Sequence, residues 1–376
     1  MRDIQMVDLK SQYLKIKSEV DSRIQEVIES AAFINGPEVK RFQSELEEYL
    51  GVKHVIPCAN GTDALQVALM ALGLRPGDEV ITTTFTFVAT AEVIALLGLR
   101  PVLVDVDLDT YLISTSDIES AITEKTKAII PVHLFGQCAN MDAVLQIAKK
   151  NGLKVIEDAA QSIGASYTFR DGTKMQSGTM GDFGTTSFFP SKNLGCYGDG
   201  GALFTNNDDL AEKARIIVNH GMKVRYYHDE IGVNSRLDSI QAAVLSAKLV
   251  ELDNYTEARR NAASAYDVAF ESVDEIETPK RVENSRHVFH QYTMRITNGN
   301  RDGLQKHLME SGIPAMIYYP VPLHQQKAYQ DDRYSEGSFP KSEQLAKEVI
   351  ALPMHTELDS EQLSYITNQV KEFFKK

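Results

Sequence analysis

The sequence predicts an α/β protein: a mostly parallel sheet covered by helices on both faces, followed by a smaller α+β domain. Three observations carry this expectation. Over roughly residues 60–160, short apolar runs rich in Val and Ile alternate with segments of helical period. Such runs are the buried strands of parallel sheets, and the helices between them are crossover connections. From about residue 236 the alternation gives way to a long helical stretch and a different order of elements. Finally, 376 residues with 43% hydrophobic content supply a large core, in a length that ordinarily carries more than one domain. The division expected is a large domain over 1–245 and a small one over 246–376, with the N-terminal segment free to pack on the small one.

In chain order, an amphipathic stretch opens the protein over about residues 1–50. TDALQVALMALG reads as a helix ending at Gly73, DEVITTT as a strand, VATAEVIALLG as a helix and RPVLVDVD as a strand. STSDIESAIT is a helix with a hydroxyl cap, KAIIPVHLFG a strand, NMDAVLQIAKKNG a helix ending at Gly152, and KVIEDAA a strand. The run DSIQAAVLSAKLVELDNYTEARRNAASAYDVAFESV reads as one long helical stretch. HVFHQYTMRI then reads as a strand, RDGLQKHLMESG as a helix and IPAMIYYP as a strand, and SEQLAKEVIALP and DSEQLSYITNQVKEFFKK as closing helices.

Composition narrows the function classes. The net charge of -13, with acids and bases mixed along the chain, argues against nucleic acid as a main partner and against a basic membrane surface. No stretch approaches the roughly 18 apolar residues of a membrane span, and the N-terminus lacks a signal-peptide core. Cys58, Cys138 and Cys196 are odd in number and far apart, without zinc spacing. They suggest reduced, core-packed thiols in a cytoplasmic protein, and no metal site is expected.

Three local patterns bear chemistry. Asp158 ends an apolar strand, where a carboxylate needs a partner. It either caps the following turn or holds a protonated ring nitrogen. Lys192 lies between SFFP and LGCYGDGGALFTN, an apolar and glycine-rich setting. An isolated lysine is ordinarily a surface residue; one in a desolvated site has a lowered pKa and serves as nucleophile or base. Ser187 lies five positions earlier, where its hydroxyl can meet an anion. Asn60, Gly61 and Thr62 directly precede a helix, an arrangement that caps the helix and equally makes an anion site. The glycine spacing after Lys192 is neither the dinucleotide fingerprint nor a Walker A loop. A phosphate cradle, a buried acid and a desolvated amine are together the demands of pyridoxal 5'-phosphate (PLP).

On these residues, and on FINGPEVKRFQSELEEYLG, CANGTDALQ, ITTTFTFVATAE, VIEDAAQSIGA, TTSFFPSKNLGCYGDGGALFTN, GVNSRLDSIQAAVL and YYPVPLH, the chain resembles the nucleotide-sugar aminotransferases of the DegT/StrS type. These are fold-type I PLP enzymes with a seven-stranded sheet, and the match runs essentially end to end. The resemblance implies that Lys192 holds the cofactor aldehyde as a Schiff base, that Asp158 pairs with the pyridine nitrogen, and that Gln161 sits by the phenolic oxygen. It further implies that Gly61, Thr62 and Ser187 bind the phosphate and that Phe87 stacks on the ring, where core packing is the commoner use of a phenylalanine. In the family the NSR segment reaches into the neighbouring subunit, so Asn234 would touch the partner's cofactor phosphate and Arg236 its substrate, in a homodimer with shared active sites. The alternative for Arg236 is an internal ion pair, with Asp238 for example. Tyr319 and His324 resemble residues lining the sugar-nucleotide pocket, and either equally suits a satisfied structural role.

Within the family the chain resembles the UDP-2-acetamido-2-deoxy-3-oxo-glucuronate (hexuluronate) aminotransferases of surface-polysaccharide (lipopolysaccharide, O-antigen) synthesis. The amino donor implied is L-glutamate. The alternative substrate is a dTDP-linked 3- or 4-keto-6-deoxyhexose. A PLP-dependent sugar dehydratase is the other alternative; that branch replaces the lysine with histidine, and this chain keeps Lys192. A nicotinamide oxidoreductase would need the missing glycine fingerprint, a regulatory relative has no reason to keep Lys192, Asp158 and Ser187 together, and a PLP lyase or desulfurase would need a reactive cysteine loop.

Overall fold

The computed structural model describes residues 2–375. Helices α1 (Leu9–Ser30) and α2 (Pro37–Leu50) open the chain. They are followed by β1 (His54–Cys58), α3 (Gly61–Ala71), β2 (Glu79–Thr83), α4 (Ala89–Leu96), β3 (Arg100–Val104), α5 (Thr115–Ala121), β4 (Thr126–Ile130), α6 (Met141–Asn151) and β5 (Lys154–Asp158). A short hairpin, β6 (Ser166–Thr168) and β7 (Lys174–Gln176), precedes β8 (Phe183–Ser187), β9 (Gly201–Thr205) and α7 (Asp208–Ile217). The main sheet has seven strands in the order β1-β9-β8-β5-β4-β2-β3. Only β9 runs antiparallel to its neighbours.

Why the apolar doublets make this sheet follows from the period of two along a strand. In Val80-Ile81, Ile129-Ile130 and Val155-Ile156, successive side chains point to opposite faces. Val80, Ile130 and Ile156 pack with Leu65, Leu69, Val93 and Ile94 of α3 and α4. Ile81, Ile129 and Val155 pack with Ile118, Val144 and Ile147 of α5 and α6. Each such aliphatic side chain contributes about 1.5–3 kcal/mol on full burial, so both faces hold the layers together.

A hairpin, β10 (Met222–Val224) and β11 (Tyr227–His228), then leads to α8 (Ser239–Leu249) and α9 (Leu252–Phe270). Beyond these come β12 (Ile276–Glu277), β13 (Ser285–Arg286), β14 (Tyr292–Ile296), α10 (Arg301–Glu310), α11 (Pro340–Glu348), β15 (Val349–Leu352) and α12 (Ser360–Phe374). β12, β14 and β15 form a small antiparallel sheet. Its core joins Tyr266 and Phe270 to Tyr292, Met294, Leu304, Leu308, Ile350, Ile366 and Val370, and Ile4 packs there too. Residue 245, the expected division, falls inside α8, whose Ala242, Leu245 and Leu249 belong to the core with Phe42 and Leu46 of α2.

Four expectations need correction. The long helical run is two helices, broken at Val250 and Glu251. HVFHQYTMRI is a strand only from Tyr292; its first five residues wrap elsewhere. IPAMIYYP forms no strand, and only Met316 makes an isolated bridge, to Ala351. The tail of SEQLAKEVIALP is β15, because Val349–Leu352 pairs with β14 and its four residues are buried on both sides.

Candidate active site

The carboxyl ends of the parallel strands gather the residues singled out in the sequence, as expected for an open α/β sheet. After β1, Asn60 caps α3 by accepting from the Asp63 N–H at 2.8 Å. The first backbone N–H groups of this helix stay free for an anion, and the dipole favours one there. Gly61 fits against β8 only because it lacks a side chain: a Cβ on it would lie 2.7 Å from Ser187 Cβ. Gly201 is as tightly placed, since a Cβ there would lie 2.4 Å from the Asn60 carbonyl carbon. Gly61, Thr62 and Ser187 thus form one small nest.

Asp158 ends β5 and is buried. Its carboxylate accepts from Thr90 Oγ1 at 2.7 Å and from the Ala160 N–H at 3.2 Å. Thr90 stands on α4, within a motif quoted above, yet nothing local marks it as Asp158's partner. Lys192 lies in the loop between β8 and β9. Among the described residues its Nζ has no hydrogen bond or ion pair. Desolvation pushes its pKa down to about 8, against the opposing pull of Asp158. Such an amine is a usable nucleophile and base near neutral pH.

Gln161 accepts from the Phe135 N–H at 2.7 Å and donates to the Tyr319 hydroxyl at 3.1 Å. Burial pushes the Tyr319 phenol above its ordinary range, so it stays protonated. The Tyr319 ring stands 6.4 Å from that of Phe87, whose side chain is 54% exposed and so is not a core residue. His324 is buried, with Nδ1 3.0 Å from Thr84 Oγ1 and Nε2 3.0 Å from Glu343 Oε1. Both ring nitrogens are therefore engaged inside the chain, and the residue fastens the loop before α11 to the end of β2.

Asn234 and Arg236 flank Ser235, which meets the turn between β1 and α3. Ser235 Oγ accepts from the Ala59 N–H at 3.1 Å, while Asn234 is exposed. Arg236 makes no ion pair among the described residues, with Asp238 or any other acid. Its Nη1 donates to Asn219 Oδ1 at 3.5 Å.

One feature of the site has no local signal in the sequence. Glu157, beside Asp158 on β5, is wholly buried. It accepts from His133 Nε2 at 2.8 Å and from the N–H groups of Gly178, Met180 and Gly181 at 2.6–2.9 Å. His133 Nδ1 accepts from the Ala139 N–H, which leaves Nε2 as the donor. The His133 N–H also donates to the Asp158 carbonyl at 3.0 Å, so this buried pair anchors the strand end that carries Asp158.

An amine without a partner, a helix-terminal nest and a buried carboxylate fit PLP, whose aldehyde, phosphate and pyridine nitrogen need those three groups. Among the described residues no cluster of His, Cys, Asp and Glu suits a metal ion, and no helix is long and apolar enough to cross a membrane. The three cysteines are buried and unbonded to one another.

Residues 14–371 match the DegT/DnrJ/EryC1/StrS aminotransferase family. The chain is 50% identical to a pleiotropic regulatory protein of Geobacillus stearothermophilus over 375 residues, covering 99% of each. It is 47% identical to the UDP-2-acetamido-2-deoxy-3-oxo-D-glucuronate aminotransferase of Pseudomonas aeruginosa, over 96% of this chain and 98% of that one. It is 37% identical to a dTDP-3-amino-3,4,6-trideoxy-alpha-D-glucose transaminase of Streptomyces venezuelae, over 98% and 96%. Among solved structures, a DegT/DnrJ/EryC1/StrS aminotransferase from Brucella abortus superposes with a TM-score of 0.94 at 43% identity, over 99% and 100% of the chains. A sugar aminotransferase of Streptococcus pneumoniae in its PLP form gives 0.89 at 25%, over 95% and 96%. The chain therefore belongs to the DegT/DnrJ/EryC1/StrS family, with the fold-type I architecture of a PLP-dependent sugar-nucleotide aminotransferase.

Proposed function

We propose that this enzyme moves the amino group of L-glutamate to UDP-2-acetamido-2-deoxy-3-oxo-glucuronate, in the cytoplasm, for cell-surface polysaccharide synthesis. The observation behind the choice of sugar is Arg236, a guanidinium without an acid partner among the described residues, suited to pair with a carboxylate through two parallel hydrogen bonds, that of a uronate in this reading and that of glutamate in the alternative. The Pseudomonas relative supports the same choice. Bound PLP supplies an aldehyde that condenses with amines and a ring that takes up the electron pair of a broken C–H bond. The chain supplies the rest. Asp158 would hold a negative charge for the protonated ring nitrogen, and Gln161, tied to Tyr319, would stand by the phenolic oxygen. Gly61, Thr62 and Ser187 receive the phosphate. Lys192 Nζ takes the proton from the donor's α carbon and later returns one to the substrate carbon.

The test of the sugar is a panel of keto-sugar nucleotides with glutamate, scored for amino-sugar product. The UDP-linked uronate is expected to give the highest kcat/KM. Arg236→Ala is expected to raise KM for it by roughly tenfold to a hundredfold, the loss of one charge-assisted pair. The Streptomyces relative favours a second reading, a dTDP-linked 3- or 4-keto-6-deoxyhexose; product from that substrate alone would select it.

The site is shared between two copies of the chain in this reading, with Asn234 and Arg236 serving the partner's pocket. Supporting it, Val224, Tyr226, Tyr227 and Ile231 leave the β10–β11 hairpin as an exposed apolar patch, the usual mark of a contact surface. Mixing Lys192→Ala chains, inactive alone, with Arg236→Ala chains, impaired alone, is expected to raise turnover at low sugar concentration above that of either parent, because half of the mixed sites are then intact. No recovery after subunit exchange, verified by mass, would place both residues in one chain's site.

A further inference from the structure

Lys248 is a buried cation with no part in the chemistry proposed for Lys192 and Asp158. It stands near the end of α8, 1% exposed, and no acid pairs with it among the described residues. A lysine without a counter-charge in the core costs free energy that a methionine at the same place would not. Desolvation accordingly pushes its pKa down to about 8, against the opposing effect of Cys196. What the ammonium group does there is set by its contacts. It donates to the Gly195 carbonyl at 2.7 Å and stands 4.6 Å from the centre of the Tyr197 ring. Two turns earlier on the same helix face, the half-buried Gln241 accepts from the Tyr197 N–H at 2.8 Å.

Both contacts fall on the loop that carries Lys192, and that loop is closed on itself. The Cys196 N–H donates to the Phe188 carbonyl at 2.8 Å, and the Lys192 N–H to the Phe189 carbonyl at 2.8 Å. Gly195 lies directly against this first turn: a Cβ on it would stand 2.4 Å from the Pro190 carbonyl oxygen and 2.8 Å from that of Phe189. The place of Gly195 therefore sets the place of the turn that ends at Lys192. Leu194 and Cys196 pack in one core with Ala242, Leu245 and Leu249 of α8, so the helix is a fixed support for the loop.

We infer that Lys248, helped by Gln241, is a positioning residue for Lys192: it fixes the Gly195 carbonyl and with it the loop that presents the amine. The inference deepens the reading of Lys192 as the cofactor lysine and rests on it. Its test compares two cofactor forms on the full-length chain stripped of cofactor, by fluorescence titration. PLP and pyridoxamine phosphate share the phosphate and the ring, and only PLP has the aldehyde that needs Lys192. Lys248→Met keeps the packing of the stem and removes the donor. It is expected to bind PLP about tenfold more weakly than wild type does, the loss of one charge-assisted hydrogen bond, and to bind pyridoxamine phosphate as wild type does. An unchanged PLP affinity overturns the inference, and so does an equal loss for both forms, the mark of a generally loosened core. Should Lys248→Met fail to fold, Gln241→Leu takes its place: a loss confined to PLP is expected, and an equal loss or none overturns the inference. Failure of the underlying reading looks different: wild type would itself bind PLP no more tightly than pyridoxamine phosphate, and borohydride reduction of the PLP-loaded chain would leave no adduct on Lys192.

Discussion

Lys192→Ala loses both the visible absorbance band of the lysine-bound cofactor and all measurable amino transfer. The argument is one of uniqueness. Among the described residues, Lys192 is the amine beside the Gly61–Ser187 nest and Asp158. Buried Lys248, by contrast, is occupied: its Nζ donates to the Gly195 carbonyl at 2.7 Å and lies over the Tyr197 ring. Wild-type turnover in Lys192→Ala would remove the mechanism altogether. The depressed pKa adds a stability signature. An amine at 10.5 in the unfolded chain and about 8 in the fold is the case in which the unfolded state binds more protons between those values. Stability of the cofactor-free chain therefore rises as pH climbs from about 8 to 10.5. Below about 8 the fold carries the whole cost, about 3 kcal/mol at 1.36 kcal/mol per pH unit. Lys192→Met carries none of it. In urea titrations the methionine variant should be more stable than cofactor-free wild type near pH 7, with the gap closing above pH 10. A constant gap across that range would mean that the amine is not desolvated.

How far the sequence reaches depends on whether a residue's partners are local. The main sheet was legible because doublets such as Val80-Ile81 and Val155-Ile156 state by themselves that both faces are covered. Lys192 and Asp158 were legible because their surroundings, an apolar strand end and a glycine-rich loop, are written next to them. The small domain was less so. β15 continues an apolar helical pattern without a break, and only pairing with β14, more than fifty residues away, makes it a strand. The Asp158 anchor has the same character: Glu157 meets His133 across 24 residues, and neither residue's neighbours announce the other. For His324 the motif left a pocket role and a structural one open, and the partners that hold both of its nitrogens, Thr84 and Glu343, lie 240 and 19 residues away. That Asn234 and Arg236 serve a second subunit's site is a reading the resemblance suggested, because no pattern within one chain speaks of a partner.

Asp158→Asn keeps the cofactor and loses most of the catalysis. The amide is nearly isosteric, so its oxygen still accepts from Thr90 Oγ1, and the nest and Lys192 that bind phosphate and aldehyde are untouched. What disappears is a buried negative charge. Without it the ring nitrogen has no reason to stay protonated, and the ring accepts electrons poorly at the moment the α C–H bond breaks. Loss of one preorganised electrostatic stabiliser costs on the order of 10²–10³ in kcat, whereas KM for glutamate, set by groups elsewhere, should change little. A second consequence separates this role from a merely structural one. Asp158 is the one group that pulls the pKa of Lys192 upward against desolvation. With the charge gone, the midpoint for Lys192 modification in the cofactor-free protein should fall below about 8. A variant with wild-type kcat, or one in which Lys192 becomes more basic, would show that Asp158 caps its turn and does nothing for the chemistry.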